Sequence, residues 1–260
     1  MIRFGHISDT HLPGTPSNAF LDKVCREIRD PWDTLKDCLE ELAKEQVDFI
    51  LHAGDVVHGG QEQDYAKVRG LFESYLPGVP VVFAPGNHDD RGMFWKQQNG
   101  VTELSEGEFV QDVRLACGVR VLVLDTLRKA AADAISERQV DWLEERLKEA
   151  YAGTTFLLMH HPPVWHDPIF AAPGSKRWER LIAESDIKAI FAGHTHQNLC
   201  THYAGKPLYV ADSLAVGMRS RQGQVQYHSR IGYNVCSTEL ISGVAVENRL
   251  LHPFVVTIKK

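Results

Sequence analysis

The sequence of 260 residues lacks several features that would place it outside the ordinary globular proteins. A membrane-spanning helix needs about 18 consecutive apolar residues, and no apolar run in the sequence approaches that length, so no membrane span is expected. Lys and Arg number 28 against 34 Asp and Glu, a net charge of −6, which provides no basic field for a long nucleic acid. Internal repeats, low-complexity tracts and Pro/Ser-rich linkers are also missing. Their absence favours a single domain over residues 1–260.

Cysteine usage and the start of the chain bear on the compartment. The five cysteines are an odd number, widely spaced, and form no C-x-x-C pair. This usage favours a reducing environment. The first residues show neither a charged region nor the apolar stretch of a signal peptide, so none is expected. Together these features predict a cytoplasmic protein.

Six short apolar runs, each bounded by Gly, Pro or Asp, have the length of buried strands. They lie at residues 2–8, 48–53, 80–84, 119–124, 155–159 and 188–191. Between them, helical patterns cover residues 32–45 and 140–147, the second behind Ser136-x-x-Gln139, which has the form of a capping box. Strands that alternate with helices predict βαβ units and a largely parallel sheet covered on both faces.

The pattern changes after His196. Short runs with few helical signals favour antiparallel strands at residues 207–211, 243–246 and 254–258. Residues 207–260 are therefore expected to complete a second sheet or to form an oligomer interface. Residues 213–234, which contain Gly and Arg, are expected to form a loop.

Polar side chains that can bind metals follow five of the six apolar runs immediately. They are Asp9 and His11, Asp55, Asn87 and His88, His160, and His194 and His196. In open α/β sheets, ligands bind in the crevice at the carboxyl ends of the strands. The side chains are therefore expected to meet there, although they lie far apart in the chain. Each motif alone is a weak signal, and the ordered set is a specific one.

The residue types indicate a metal centre. Asp9 and His11, two residues apart on an extended segment, can face the same side and share one ion. Asn87 is an unusual ligand type, and His194 and His196 on one turn could serve two neighbouring ions. Nitrogen and oxygen ligands without thiolate favour Mn, Fe, Co, Zn or Mg over copper(I) or an iron–sulfur cluster.

The number of ligands indicates two ions. The terminal ligands are Asp9, His11, Asn87, His160, His194 and His196. These six are too many for one tetrahedral ion. With Asp55 as a shared carboxylate they divide into two sets of four. Two ions about 3.5–4 Å apart are the usual equipment for displacement at phosphorus.

The ordered motifs resemble those of a known family. In sequence they are Asp9-x-His11, Gly54-Asp55, Gly86-Asn87-His88-Asp89, His160 and Gly193-His194-x-His196. This set is similar to the calcineurin-like metallophosphoesterase superfamily over residues 2–196. Residues 124–126 and 158–163 and the helix with Gln139, Trp142 and Leu143 further resemble the bacterial class III cyclic-nucleotide phosphodiesterases and the related glycerophosphodiesterases.

The resemblance implies an α/β fold, a four-layer αββα sandwich of two mixed sheets flanked by helices. It implies two divalent or trivalent metal ions (Mn, Fe, Zn or Co) as cofactors. Its ligand scheme places Asp9, His11, Asp55 and His196 on one ion, and Asn87, His160 and His194 with the bridging Asp55 on the other. In the same scheme His88 is a non-ligand histidine near the scissile group.

Two departures from the family bear on the substrate. The Ser/Thr protein phosphatases carry Gly-Asp-x-x-Asp-Arg-Gly and Gly-Asn-His-Glu. Here residues 54–60 read Gly-Asp-Val-Val-His-Gly-Gly and Asp89 follows His88, which disfavours a protein phosphatase. Residues 127–130 also lack the glycine-rich loop that often follows this strand in class III enzymes.

The predicted function is hydrolysis of small phosphodiesters, either cyclic nucleotides or glycerophosphodiesters, by a metal-bridging hydroxide. Asp55 and His88 are the predicted catalytic residues, and His88 either protonates the departing alkoxide or holds a phosphoryl oxygen. A phosphomonoesterase is the nearest alternative, but the cations near the motifs are limited to Arg91, Lys96, Arg219 and Arg221. A non-catalytic scaffold is a second alternative. By analogy with related enzymes, a homo-oligomer is also expected.

Four further histidines and one aspartate near the motifs allow more than one reading. His6 and His52 lie inside strand patterns and are expected in the core or behind the ligands. His161 is expected either to hydrogen-bond a ligand or to fill space. His58 is expected to border the pocket, and Asp89 to orient the histidine before it or the loop around it.

Overall fold

The computed structural model describes residues 1–96, 98–105, 107–127, 135–221, 224–239, 243–252 and 257–258. Helices in these ranges are α1 (Ala19–Glu27), α2 (Pro31–Lys44), α3 (Glu62–Tyr75), α4 (Arg91–Trp95), α5 (Glu137–Lys148) and α6 (Lys176–Glu184), with a 3-10 turn at Pro168–Phe170. Strands are β1 (Ile2–Ile7), β2 (Leu12–Pro13), β3 (Phe49–His52), β4 (Val57–His58), β5 (Val81–Phe83), β6 (Val101–Ser105), β7 (Glu108–Arg114), β8 (Val119–Leu124), β9 (Thr154–Leu158), β10 (Ile187–Ala192), β11 (Leu199–Tyr203), β12 (Lys206–Val210), β13 (Gly217–Arg221), β14 (Gln224–His228), β15 (Ile231–Thr238), β16 (Val244–His252) and β17 (Thr257–Ile258).

The first of two large sheets has the strand order β16-β15-β1-β3-β5. Strands β1, β3 and β5 run parallel to one another. At one edge, β15 pairs antiparallel with β1, and β16 pairs antiparallel with β15. In register, Ile7 lies beside His52, and His52 lies beside Phe83. The three parallel strands therefore end level with one another, so the residues that follow them begin at the same edge of the sheet.

The second large sheet has the order β11-β12-β10-β9-β8-β7-β6. Its four central strands β12, β10, β9 and β8 run parallel, and antiparallel strands close both edges. Leu158 pairs with Phe191, so β9 and β10 also end side by side. Both sheets are mixed, as the family resemblance implied, because antiparallel strands are added at one edge of the first sheet and at both edges of the second.

The two sheets pack face to face through buried aromatic rings. The ring of Phe4 in the first sheet lies 5.5 Å, centroid to centroid, from each of Phe156 and Phe191 in the second. All three side chains are fully buried. Burial of a large aromatic side chain stabilises a fold by roughly 1.5–3 kcal/mol, so these rings fix how the sheets face each other.

Helices cover the outer faces of both sheets and complete four layers. On the first sheet, α2 buries the side chains of its leucines, and a Cβ on Gly5 would lie 3.0 Å from Leu42. Glycine at position 5 therefore allows the helix to approach the sheet closely. On the second sheet, α5 and α6 bury Leu143 and Trp178 in one cluster with Leu157. The predicted αββα sandwich is confirmed.

The start of α5 corrects one detail of the sequence analysis. Ser136 caps the helix by accepting a hydrogen bond from the backbone N–H of Gln139. The Gln139 amide, however, donates to the carbonyl of Asp125 rather than reaching back to the cap. The capping box is therefore only half formed, because the glutamine ties the helix to the end of β8 instead.

The C-terminal part holds more strands than the sequence analysis predicted. Residues 213–234, expected as a loop, contain β13, β14 and the start of β15, so that expectation is wrong. Inward-facing apolar residues alternate with polar ones there, as in Met218 and Arg219, and the Gly and Arg residues obscured this period. Strand β12, expected to be antiparallel, pairs antiparallel with β11 but parallel with β10.

Two sequence-based expectations fall on residues that the structure does not describe. Of the run 254–258, only Thr257–Ile258 is described, as β17. Most of residues 127–130, which lack a glycine-rich loop, also lie outside the described ranges. Within those ranges, no helix combines the length and the apolarity that crossing a bilayer requires.

Candidate metal centre

The structure brings the candidate residues together at the carboxyl ends of the parallel strands. Asp9 and His11 follow β1, Asp55 follows β3, Asn87 and His88 follow β5, His160 follows β9, and His194 and His196 follow β10. Both sheets contribute because their parallel strands end at the same edge of the sandwich. The predicted convergence of these residues at one edge is observed.

Backbone strain is concentrated in this group. Of seven described non-glycine residues with a positive φ, five belong to it: Asp9 (51°), His11 (40°), Asp55 (52°), His194 (69°) and His196 (53°). Such conformations cost on the order of 1–3 kcal/mol each and cluster at functional sites, where the surrounding structure imposes them. The turns therefore aim side chains inward at a cost in stability.

One cluster of potential ligand atoms comprises Asp9, His11 and His196. The Nε2 atoms of His11 and His196 lie 3.1 Å apart, and Nε2 of His196 lies 3.3 Å from Oδ1 of Asp9. Nε2 of His11 lies 3.5 Å from Oδ2 of Asp55. These four residues are the set that the family resemblance assigns to one ion.

A second cluster adjoins the first through the two carboxylates. Nε2 of His160 lies 3.3 Å from Oδ2 of Asp55 and 3.1 Å from Oδ1 of Asn87. Asp9, Asp55 and His160 also form a group whose ligand atoms lie close enough for one ion, as do His160, His161 and His194. Asp9 therefore adjoins both clusters, which the sequence analysis did not anticipate, and Asp55 lies between them as expected of a bridge.

Each carboxylate commits one oxygen to the backbone and leaves the other facing the histidines. Oδ2 of Asp9 accepts the N–H of His194 at 2.9 Å, and Oδ1 of Asp55 accepts the N–H of His88 at 2.7 Å. Oδ1 of Asp9 is buried with no hydrogen-bond partner, while Oδ2 of Asp55 faces His11 and His160. The backbone bonds hold the carboxylates in place, and the free oxygens point into one space.

Backbone carbonyls fix the orientation of two imidazole rings. Nδ1 of His160 donates to the carbonyl of Ala53 at 2.7 Å, and Nδ1 of His196 donates to that of Val216 at 2.6 Å. A neutral imidazole has one N–H and one lone pair. In the neutral form of both rings the lone pair therefore lies on Nε2, the atom that faces the carboxylates. Ligating histidines are held in this way in metal sites.

The charges in this pocket favour a cation. Burial would raise the pKa of each carboxyl, but His196 holds the pKa of Asp9, and His160 that of Asp55, well below the usual range. Burial lowers the pKa of His160, but the charge of Asp55 and its hydrogen bond raise that pKa to about 9. Burial lowers the pKa of His11 to about 3, so that ring is neutral. Two buried anions therefore attract positive charge to this pocket, either a proton on Nε2 of His160 or a cation in its place.

The donor set fits a pair of metal ions. An unsatisfied buried carboxylate oxygen costs stability unless something pairs with it, and Oδ1 of Asp9 is such an atom. Neighbouring imidazole lone pairs add donors, and no cysteine sulfur belongs to the groups described. This chemistry suits hard or borderline ions such as Mn, Fe, Co or Zn.

His88 lies beside the ligand groups rather than among them. Its ring stacks on His58 with centroids 4.1 Å apart and lies 5.1 Å from the ring of His11. It is exposed to solvent, and it lines a cavity over the candidate ligands. The structure places His58 at the edge of this pocket, as predicted, where Nδ1 contacts Nδ1 of His11 at 3.3 Å.

Thr126 is a residue that sequence reasoning missed. Its hydroxyl accepts the backbone N–H of His161 at 3.1 Å and contacts Nδ1 of the same ring at 2.8 Å. The ring of His161 lies 4.0 Å from that of His194. His161 therefore borders the site in a fixed orientation instead of filling space. The strand end Leu124-Asp125-Thr126 was the signal that could have identified this support.

The remaining polar candidates support the ligands from behind. Gly54 N–H donates to Nδ1 of His52, whose Nε2 donates to the hydroxyl of Thr10 at 3.1 Å. Asp89 accepts the N–H groups of Val56 and Gly86, so it holds the loop rather than the ring of His88. Burial and the Asp55 charge raise the pKa of Asp89 to about 7.

Comparison with known proteins identifies the class. The calcineurin-like phosphoesterase family model matches residues 2–198, and the chain belongs to that family. Curated relatives are phosphodiesterases, so the protein is a hydrolase of the metallophosphoesterase class, which uses divalent metal ions. The sequence-based family assignment is confirmed.

Particular relatives include cyclic-nucleotide phosphodiesterases and a glycerophosphodiester phosphodiesterase. The chain is 31% identical over 239 residues to the cAMP/cGMP dual specificity phosphodiesterase of Mycobacterium tuberculosis, covering 84% of this chain and 72% of that one. The glycerophosphodiester phosphodiesterase of Enterobacter lignolyticus is 28% identical over 211 residues, covering 76% of this chain and 72% of that one. A dimetal phosphatase from Danio rerio superposes with a TM-score of 0.68 at 16% identity over 99% of this chain and 98% of that one, which shows the shared fold.

Proposed function

We propose that this protein is a dinuclear metal phosphodiesterase that hydrolyses small phosphodiesters, either cyclic nucleotides or glycerophosphodiesters. One observation supports the proposal above the others: each of two buried carboxylates turns one oxygen toward imidazole nitrogens while the backbone holds the other. The relatives named above act on these two kinds of diester, which gives the proposed substrate range.

The proposed ligands divide between two ions. Asp9, His11, Asp55 and His196 would hold one, and Asn87, His160, His194 and the bridging Asp55 would hold the other. A pair of such ions lowers the pKa of bound water toward neutrality and neutralises charge on phosphoryl oxygens. The chain itself contributes the fixed positions of these donors, which the strained turns and the backbone hydrogen bonds maintain.

His88 is the proposed acid. Its backbone N–H donates to Asp55, which ties the ring's position to the proposed bridging carboxylate. Because the ring is exposed and lines the cavity, it can reach a bound diester and recover its proton from solvent. A proton given by His88 to the departing alkoxide would avoid release of a strongly basic leaving group.

A diester is favoured over a monoester by the state of the nearby cations. A monoester carries a second phosphate charge, which a free arginine or lysine in the pocket would neutralise. Arg91 is instead paired with the buried carboxylate of Asp125. Neither Lys nor Arg occurs among the described residues that line the cavity.

Parallel assays test the reaction class. Metal-reconstituted protein should hydrolyse bis(p-nitrophenyl) phosphate much faster than p-nitrophenyl phosphate, and chelation should abolish both activities. A strong monoester preference would overturn the diester assignment. Bound metal without turnover of either ester would favour a scaffold.

We further propose that residues 1–260 form one domain, in which residues 207–260 complete a sheet or an oligomer interface. The four cysteines whose side chains are described are free, which supports a reducing environment and a cytoplasmic location. Size-exclusion chromatography with light scattering tests the expected homo-oligomer.

A further inference from the structure

A cavity of about 400 Å³ lies directly over the candidate metal centre. Its base is formed by polar residues already described, His11, Asp55, His58, His88, His194 and His196. The rest of its lining is apolar and consists of Phe20, Phe170, Met218, Val225 and Tyr227, which we call the apolar wall. A substrate whose phosphate sits at the base therefore places its ester groups against this wall.

The wall offers aromatic faces. The rings of Phe20 and Tyr227 lie 5.0 Å apart, centroid to centroid, and are inclined at 54°. Phe170 lies 5.6 Å from the ring of His194 at the base. Phe20 and Tyr227 are each only partly buried, so part of both rings remains available to a ligand.

Contacts that the metal centre does not use hold this wall in place. Helix α1 packs against the β13–β14 hairpin and the residues that lead into it, in a cluster of Val24, Ala215 and Val216 against which Phe20 and Tyr227 pack. The hairpin joins the base through the backbone, where the N–H of Met218 donates to the carbonyl of His196. The wall thus has a fixed position relative to the candidate ligands and its own apolar support.

We propose that the apolar wall is a subsite for the planar base of a cyclic nucleotide, an inference that rests on the proposed phosphodiesterase function. Stacking on aromatic side chains is available to every base because each has a π face. None of the five side chains of the wall carries a charge. The wall therefore recognises shape and aromaticity rather than charge.

Other ester groups fit the wall less well. A glycerol group needs hydrogen-bonding partners, and the wall side chains offer only the hydroxyl of Tyr227 and the thioether of Met218. A choline group is held by several aromatic faces that surround the cation. The wall does not surround a ligand with aromatic faces alone, because the aliphatic side chain of Val225 forms part of it beside Tyr227. A heteroaromatic ring can contact both the aromatic and the aliphatic parts.

The test compares cyclic AMP with an analogue that lacks only the base, and with a diester of the other proposed class. Cyclic AMP, the abasic methyl ribofuranoside 3′,5′-cyclic phosphate and glycerophosphocholine are assayed with the wild type and with Phe20→Leu and Tyr227→Leu. These variants keep apolar volume but remove the ring. We expect kcat/KM for cyclic AMP to fall by between about 5-fold and about 150-fold, while the abasic diester changes by less than about twofold. The matched variant Tyr227→Phe keeps the ring and should retain wild-type preference.

Each other outcome has a distinct meaning. If the wild type hydrolyses no diester, the proposed function itself fails. If it hydrolyses diesters but shows no preference for cyclic AMP over the abasic analogue, the base subsite is wrong and the function stands. A larger loss for glycerophosphocholine than for cyclic AMP would overturn the base subsite in favour of a cation site. Metal content and melting temperature are measured for each variant to confirm that it is loaded and folded. The inhibition constants of 5′-AMP and ribose 5-phosphate are compared on the wild type, which tests base binding without any substitution.

Discussion

The base and the wall of the cavity are built in different ways. The base takes its side chains from turns that follow parallel strands of two sheets, and hydrogen bonds to the backbone hold them. The wall takes its side chains from α1, the β13–β14 hairpin and a 3-10 turn, and apolar packing holds them. Under the proposed function, the strand ends supply the chemistry at phosphorus and the added elements select which diester enters.

This division gives a general expectation. A change at the base should reduce hydrolysis by the same factor for all diesters that share one kind of leaving group, since they use the same phosphate site. A change at the wall should alter the ratio between substrates. Four positions in or beneath the base allow this difference to be measured.

The largest effect is expected from Asp55→Asn. The substitution keeps the shape of the side chain but removes the charge of the proposed bridge between two ions. Water activation and charge neutralisation are then lost together, so the fall in kcat/KM should exceed the about 10²–10⁴-fold that one acid–base residue contributes. Metal analysis should find fewer than two ions per chain. Two retained ions with normal activity would exclude Asp55 as the bridge.

His88→Ala should lower kcat by about 10²–10⁴-fold while both ions are retained, because the ring lies beside the ligand groups and acts as the proposed acid. Cyclic AMP and its abasic analogue should lose the same factor. The effect should shrink for diesters with a p-nitrophenol leaving group, which needs no proton. Loss of metal in this variant would show that His88 is a ligand.

Thr126→Val should lower kcat/KM by about 10-fold, the lower end of the effects seen when a group that orients a site residue is removed. The hydroxyl contacts both the backbone and the ring of His161, and valine keeps the volume without those bonds. Thr126→Ser is the matched control and should remain near wild type. An unchanged rate in the valine variant would show that the orientation of His161 has no role in hydrolysis.

The smallest effect on activity is expected from Tyr65→Phe. The hydroxyl donates to Asp89 and accepts the N–H of Asp90 beneath the base. Its removal should lower the free energy of unfolding by about 1–2 kcal/mol, as for a buried hydrogen-bonded group. Denaturant unfolding measures this loss. Activity per metal-loaded molecule should stay within about threefold of the wild type. That change is smaller than the about 10–100-fold loss expected when a residue that hydrogen-bonds a metal ligand is removed. A larger drop would mean that the Asp89 loop controls the ligands directly.

The base was predictable from the sequence because strand ends carry their own signal. Asp9, Asp55 and His194 each follow a short apolar run, and parallel strands in neighbouring positions must end at one edge. The family resemblance added that the sheets are two and mixed. Periodicity alone indicated a largely parallel sheet, since it cannot show where an antiparallel edge strand is added.

The wall was not predictable for physical reasons. Phe20 lies in a nine-residue helix that the sequence analysis did not identify, and Tyr227 lies in a segment expected to be a loop. Their position depends on packing between elements from opposite ends of the chain, through Val24 and Val216. Such tertiary contacts leave no local pattern. The alternation of Val225 and Tyr227 with polar residues was the only signal available.

The central claim is that seven side chains hold two cations at the carboxyl ends of the strands, and diffraction from crystals grown with manganese tests it most directly. The account predicts two anomalous peaks about 3.5–4 Å apart, with Asp55 between them and Asp9, His11, Asn87, His160, His194 and His196 around them. A single peak, or none at saturating manganese with these side chains turned away from one another, would contradict it.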